Sequence, residues 1–155
     1  MNDPSHSVRS VVAADLSRMA ELIREAYRKY LAKIDCLPAP LLQDYGLLVR
    51  DRLVWLIGEP IVGLICLVTK NEDSLLIENI AVSPSVQDRG YRRTLMEFAE
   101  QSAARLRLER VVLYTNEVMV ESIAFYSYLG YSIVDRRIEN GYRRIFMEKI
   151  ISTSA

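Results

Sequence analysis

A strand that runs through a short loop into a long helix dominates this chain. Residues 75–82 read LLIENIAV, almost unbroken in Leu, Ile and Val, with one charge, Glu78, inside the run. A short apolar run bounded by turn signals is a strand candidate. Residues 83–90, SPSVQDRG, hold Pro84 and Gly90 and read as a loop. Residues 91–106, YRRTLMEFAEQSAARL, repeat Leu95, Phe98, Ala99, Ala103 and Leu106 at three- and four-residue spacing, the stripe of an amphipathic helix. A helix start leaves several backbone N–H groups unpaired and carries partial positive charge, so this junction suits an anion, typically a phosphate. Most strand–loop–helix junctions bind nothing, however, and Gly90 alone also fits a simple turn residue. There is no GxGxxG and no GK[ST] in the chain, so neither a dinucleotide-binding loop nor a Walker loop is supported.

The 155 residues, half of them hydrophobic, suit one mixed α/β domain spanning residues 1–155 with a proper core. Twenty basic and twenty acidic residues cancel, which gives no electrostatic reason to expect nucleic acid or an anionic membrane as partner. No apolar run reaches membrane-spanning length, and the polar opening MNDP lacks the apolar region of a signal peptide, so the reading is cytoplasmic. Two cysteines, Cys36 and Cys66, and one histidine, His6, show no ligand spacing, so no metal is expected. Cys66, inside an apolar run, reads as a small buried side chain.

Two blocks carry a family resemblance. The first is Val82-x-Pro84 followed by Gln87-Asp88-Arg89-Gly90-Tyr91-Arg92. The second is Tyr114-Thr115-Asn116-Glu117, then Glu121-Ser122-Ile123-Ala124-Phe125-Tyr126 and Leu129-Gly130-Tyr131. Together they resemble the acyl-CoA loop (Gln/Arg-x-x-Gly-x-Gly/Ala) and the later strand and helix of the GCN5-related N-acetyltransferases, the GNAT family. The resemblance runs from about Val8 to Lys149 and is weakest between Tyr30 and Asp51. Arg92 stands where the family has Gly or Ala, and Ser122 where many members have Asn. A side chain at position 92 keeps the backbone from approaching a pyrophosphate closely, so Arg92→Gly is expected to tighten cofactor binding.

Along the chain, Val8 to Ala13 reads as a strand and Asp15 as the N-cap of a helix with the stripe Leu16, Met19, Ala20, Ile23, Ala26, Tyr27 and Tyr30. Pro38 and Pro40 interrupt, and a second helix is read over Leu41 to Val49. Leu53 to Ile57 and Ile61 to Thr69 form a hairpin around Gly58-Glu59-Pro60. The strand from Leu75 and the long helix lead to a strand over Arg110 to Tyr114, a helix over Glu121 to Leu129, and two strands over Ser132 to Ile138 and Tyr142 to Ile150. Asn140-Gly141 between those last strands is a tight-hairpin signal. The order β-α-α-β-β-β-α-β-α-β-β gives a mixed sheet in which the strands flanking the long helix are parallel neighbours. In the resembled family those strands splay at their ends and the pantetheine arm lies between them. The closing hairpin offers an edge for a homodimer.

The resemblance implies an N-acetyltransferase moving an acetyl group from acetyl-CoA to a primary amine of a small molecule, amino acid or peptide. Cofactor contacts fall on Gln87, Asp88, Arg89, Gly90, Tyr91, Arg92 and Arg93, on the backbone near Ile80, Ala81 and Val82, and on Ser122. Tyr126 aligns with the family's tyrosine beside the cofactor sulfur and is expected to protonate the departing thiolate. Glu78, a charge in an apolar strand, is the candidate base, with a structural carboxylate as the competing reading and Glu117 as runner-up. Tyr27, Tyr30, Asp44, Tyr45 and Glu117 are candidate acceptor-site residues. A domain of the same fold that binds coenzyme A weakly and serves as a binding or regulatory module, or an enzyme moving a longer acyl chain, are the alternatives.

Overall fold

A computed structural model describes residues 7–28 and 53–151. Within them seven strands make one mixed sheet: β1 (Val8–Ser10), β2 (Val54–Ile57), β3 (Gly63–Asn71), β4 (Ser74–Val82), β5 (Arg110–Asn116), β6 (Ser132–Glu139) and β7 (Tyr142–Ile150). Three helices accompany them: α1 (Leu16–Tyr27), α2 (Tyr91–Arg105) and α3 (Val120–Tyr128). The spatial order is β1-β2-β3-β4-β5-β7-β6. The mixed α/β architecture expected from sequence is the one observed. The helix expected over Leu41–Val49 lies outside the described residues.

Each pairing follows from its connection. Short turns make β2–β3, β3–β4 and β6–β7 antiparallel. At the last turn Asn140 and Gly141 take φ of 51° and 84°, the left-handed pair that matches the twist of a two-residue hairpin. The crossover through α2 makes β4 and β5 parallel. The first strand is shorter than the sequence suggests, because Ala13–Asp15 already coils into a 3-10 turn. Asp15 does sit before α1, but its carboxylate makes no cap to that helix. It accepts from the Val12 N–H at 2.9 Å and from both terminal nitrogens of Arg9 at 3.0 Å. The guanidinium holds this carboxyl below its usual range.

Side chains alternate across the sheet and build a core on each face. On one face Met19, Leu22 and Ile23 of α1 pack against Val54, Leu56, Leu64, Cys66 and Ala81. On the other, Leu95, Met96, Ala99 and Ala103 of α2 pack on Ile65, Leu75, Ile77, Ile80, Val82, Val111 and Leu113, joined by Tyr126 of α3. Leu22 takes the α1 position that the sequence pattern assigns to Ala20, which is exposed. At about 100° per residue, 22 and 23 flank the line through 19 and 26, whereas 20 has rotated off it. Cys66 is fully buried, and burial, with Glu78 nearby, pushes its thiol up to about 12.

One irregularity, in β4, shapes the interior of the sheet. Leu67 pairs with Ile77 and Cys66 with Asn79, so Glu78 faces no partner and forms a β-bulge. The bulge also shifts the alternation. Leu75 and Ile77 lie on the α2 face, and so do Ile80 and Val82, while Ala81 lies on the α1 face. Between them Glu78 and Asn79 are left as consecutive residues toward α1. Pairing of β4 with β5 stops at the same point, its last pair being Ile77↔Leu113. Beyond it the two strands part.

Candidate functional site

A cavity of about 290 Å³ opens where β4 and β5 separate. Its walls are Ile77 to Ile80 and Val82 on one side, Leu113 to Asn116 on the other, the loop and first turn of α2 below, α3 alongside, and Ala26, Tyr27, Tyr142 and Arg144 at the α1 face. It therefore passes from one face of the sheet to the other.

The loop end has the features of an anion seat. Ser83 hydroxyl accepts from the Ser85 N–H at 3.4 Å and starts a 3-10 turn over Pro84–Val86. Asp88 and Gly90 then take φ of 67° and 84°, bending the chain into α2. Gly90 is the N-cap of α2 and brings no side chain of its own to cap that helix start. Left-handed φ at the N-cap is open to glycine with little strain, and the helix start presents its first amides outward. Gln87, Asp88, Gly90, Tyr91, Arg92 and Arg93 all line the cavity. Arg89 is exposed and does not line it.

Arg92 does not lie along its own helix. Its guanidinium reaches to α3, 3.5 Å from Ser122 Oγ and 5.5 Å from the Phe125 ring centre. It thus spans the groove between the two helices. Tyr126, buried beneath it, stacks edge-on against Phe125 and Tyr131 at 5.6 and 6.2 Å. Tyr27 of α1 donates to Asn79 Oδ1 at 2.8 Å through the bulge region. Burial raises the Tyr27 phenol, Tyr126 adds to the rise, and Arg92 opposes it.

At the α1 face Tyr114 donates to Glu78 Oε1 at 3.2 Å. Burial first, then the Glu78 charge, pushes this phenol up to about 12. Arg144 lies 4.5 Å over the Tyr114 ring and 5.3 Å over the Tyr142 ring. An arrangement of this kind can hold an anion at one end, pass a narrow chain through the middle, and present a carboxylate and a phenol to whatever meets there.

The chain matches the family model described as "Acetyltransferase (GNAT) family" over residues 16–131. It belongs to the GNAT acetyltransferase family. No curated protein sequence matches it significantly. Solved structures show the same fold at low identity. A Streptococcus agalactiae acetyltransferase superposes with a TM-score of 0.76 at 20% identity, covering 93% of this chain and 97% of that one. YncA, a putative acetyltransferase of Salmonella typhimurium solved with its cofactor acetyl-CoA, gives 0.70 at 16%, covering 96% and 95%. The PaiA N-acetyltransferase of Thermoplasma acidophilum, solved with coenzyme A, gives 0.71 at 16%, covering 93% and 98%.

The fold brings many of the candidate site residues to one place. Glu78, Tyr126, Ser122, Tyr27, Ile80 and Val82 line the same cavity as the loop. Ala81 points into the α1-side core instead. Glu117 is exposed past the end of β5 and pairs with Arg143 at 3.1 Å, outside the cavity wall. Tyr30, Asp44 and Tyr45 lie outside the described residues. The sequence does not single out Asn79, Tyr114, Phe125, Tyr142 or Arg144 as site residues. Its only signal for the last three is a pair of residues two apart after a tight turn and an aromatic beside Tyr126, and each also fits an ordinary half-buried strand or helix. Among the described residues no cluster of His, Cys, Asp and Glu is placed to hold a metal ion. No helix among them is long and apolar enough to cross a membrane.

Proposed function

We propose that this GNAT chain is an acetyl-CoA-dependent N-acetyltransferase acting on a primary amine. The observation that carries the reading is the parting of β4 and β5 after Ile77↔Leu113, with the start of α2, whose N-cap is a glycine, at the mouth of the gap. The acetyl-CoA bound by YncA and the coenzyme A bound by PaiA support the same ligand class here. Bound acetyl-CoA would supply an acetyl group activated as a thioester. The α2 start, with Gln87, Gly90 and Arg93, holds phosphate oxygens through backbone N–H groups and charge. Backbone N–H groups of Ile80 and Val82, on the β4 edge that β5 has left, would hold the pantetheine amide and the thioester oxygen, whereas the Ala81 N–H is turned toward β3. Glu78 takes the proton of the attacking amine, directly or through one water, and its bulge position aims it into the gap. Tyr126 gives its phenol proton to the departing sulfur, and Phe125 and Tyr131 fix its ring.

The test is thiol release from acetyl-CoA with a panel of alkylamines, polyamines, amino acids and short peptides, with acetylated product identified by mass spectrometry. In parallel, acetyl-CoA should raise the melting temperature well above the shift given by pantetheine alone. No shift from either, and no thiol release with any amine, would remove the reading.

A further inference from the structure

The α1 face of the cavity holds two opposite charges that are not paired with each other. Glu78 is engaged by the Tyr114 hydroxyl at 3.2 Å, and Arg144 lies 4.5 Å over the ring of the same tyrosine. One phenol therefore separates an anion from a cation, and both line the cavity. Arg144 is held from outside as well. Its Nη1 donates to Glu139 at 3.1 Å, Glu139 also receives Arg137 at 3.4 Å, and Arg137 reaches Asp135. This is a chain of alternating charge whose cavity end is positive. Tyr114 and Tyr142 flank the guanidinium, so its plane is fixed before any ligand arrives. Only Nη1 has a hydrogen-bond acceptor among the described residues, and neither Nε nor Nη2 is a buried unsatisfied donor. They remain accessible, and a guanidinium edge with accessible donors matches a carboxylate.

We propose that the acceptor is an amine that carries a carboxylate a short distance away, an α-amino acid or a close analogue, with its amine at Glu78 and its carboxylate on Arg144. The inference rests on the acetyltransferase reading above and names the acceptor class for that site. The one-ring separation sets the short spacer. A simple alkylamine brings no anion to the accessible donors of Arg144, and a polyamine brings a second cation toward them. A peptide amino terminus, whose nearest carbonyl is a neutral amide, would leave the same donors without a charged acceptor.

The experiment uses the whole chain and acetyl-CoA, with the standard amino acids, their carboxamides, and a set of alkylamines and polyamines as acceptors. The expected result is a kcat/KM at least about tenfold higher for the best amino acid than for its own carboxamide. That ratio should collapse toward one in Arg144→Gln and recover in part in Arg144→Lys. Equal use of acid and carboxamide by the unaltered protein, or preference for polyamines, overturns the inference and leaves the acetyltransferase reading standing. A ratio that persists in Arg144→Gln also overturns it, because another group would then read the carboxylate. If acetyl-CoA neither shifts the melting temperature nor releases thiol with any acceptor, the acetyltransferase reading fails and takes this inference with it. The acid-to-carboxamide comparison needs no variant, so a poorly folding Arg144→Gln does not rescue the idea.

Discussion

Arg92→Ala is the perturbation that asks most of the structure. The guanidinium bridges α2 and α3 through a 3.5 Å contact to Ser122 and a 5.5 Å contact to Phe125. The first is at the long limit of a hydrogen bond and contributes about 0.5 kcal/mol. The second, partly exposed, contributes about 0.5–1 kcal/mol. The bridge is therefore worth about 1–1.5 kcal/mol, and a ligand that threads the groove must break it. Against this, a guanidinium that turned onto phosphate would gain about 1.5–3 kcal/mol per charge-assisted hydrogen bond. The side chain points across to α3 and away from the loop, and Arg93 already lines the cavity beside it, so we expect the bridge to dominate. Alanine suits a helix and leaves no tether. Acetyl-CoA should then bind about fivefold tighter, or about 1 kcal/mol. The ligand-free variant should melt about 2–4 °C lower, because the bridge no longer ties the helices. Titration calorimetry with acetyl-CoA and with acetyl-pantetheine, at one salt concentration, reads the first effect, and both ligands should gain. Weaker acetyl-CoA binding with unchanged acetyl-pantetheine binding would refute the reasoning and make Arg92 a phosphate ligand.

The same geometry carries three further expected outcomes. Tyr126→Phe keeps the ring contacts to Phe125 and Tyr131, so it should lower kcat about a hundredfold with little change in acetyl-CoA affinity, as steady-state kinetics and calorimetry would show. Glu78→Gln should slow turnover most at low pH, where the acceptor amine is most protonated, and an unaltered pH–rate profile would leave Glu78 structural. Burial raises the phenols of Tyr27, Tyr114 and Tyr131 above their ordinary value of 10.0, so the folded state holds these protons more tightly than the unfolded chain. Their stabilisation is complete below pH 10 and is lost as pH rises through the raised values, so the melting temperature should fall above pH 10 and fall less in Tyr114→Phe. Tyrosinate absorbance that finished its rise near pH 10 in the folded protein would contradict this.

The elements legible in the sequence are those whose signals are local. Pro84 and Gly90 bracket the loop, Asn140-Gly141 marks the hairpin, and the stripe from Leu95 to Ala103 marks α2. Glu78 stands out because a charge in an apolar run demands a reason. What the sequence hides depends on distant partners. Asp15 looks like a helix cap, but Arg9 and the Val12 N–H compete for its carboxylate and win. Arg144 is one of several arginines in a strand of mixed character, and its place at the cavity emerges only when β7 is inserted between β5 and β6. Arg92 is visible as a departure from the family pattern, but its direction is set by Ser122 and Phe125, thirty residues and more along the chain.

The bulge in β4 has an evolutionary side. Without residue 78, Leu75, Ile77, Ile80 and Val82 would succeed one another in unbroken alternation, and both cores would keep their residues. The β4–β5 ladder ends at the same point, its last pair being Ile77↔Leu113. One extra residue thus coincides with both the opening of the sheet and the carboxylate that lines it. A three-base deletion there would remove the acceptor of the Tyr114 hydroxyl along with the bulge, so the packing and the cavity would change together.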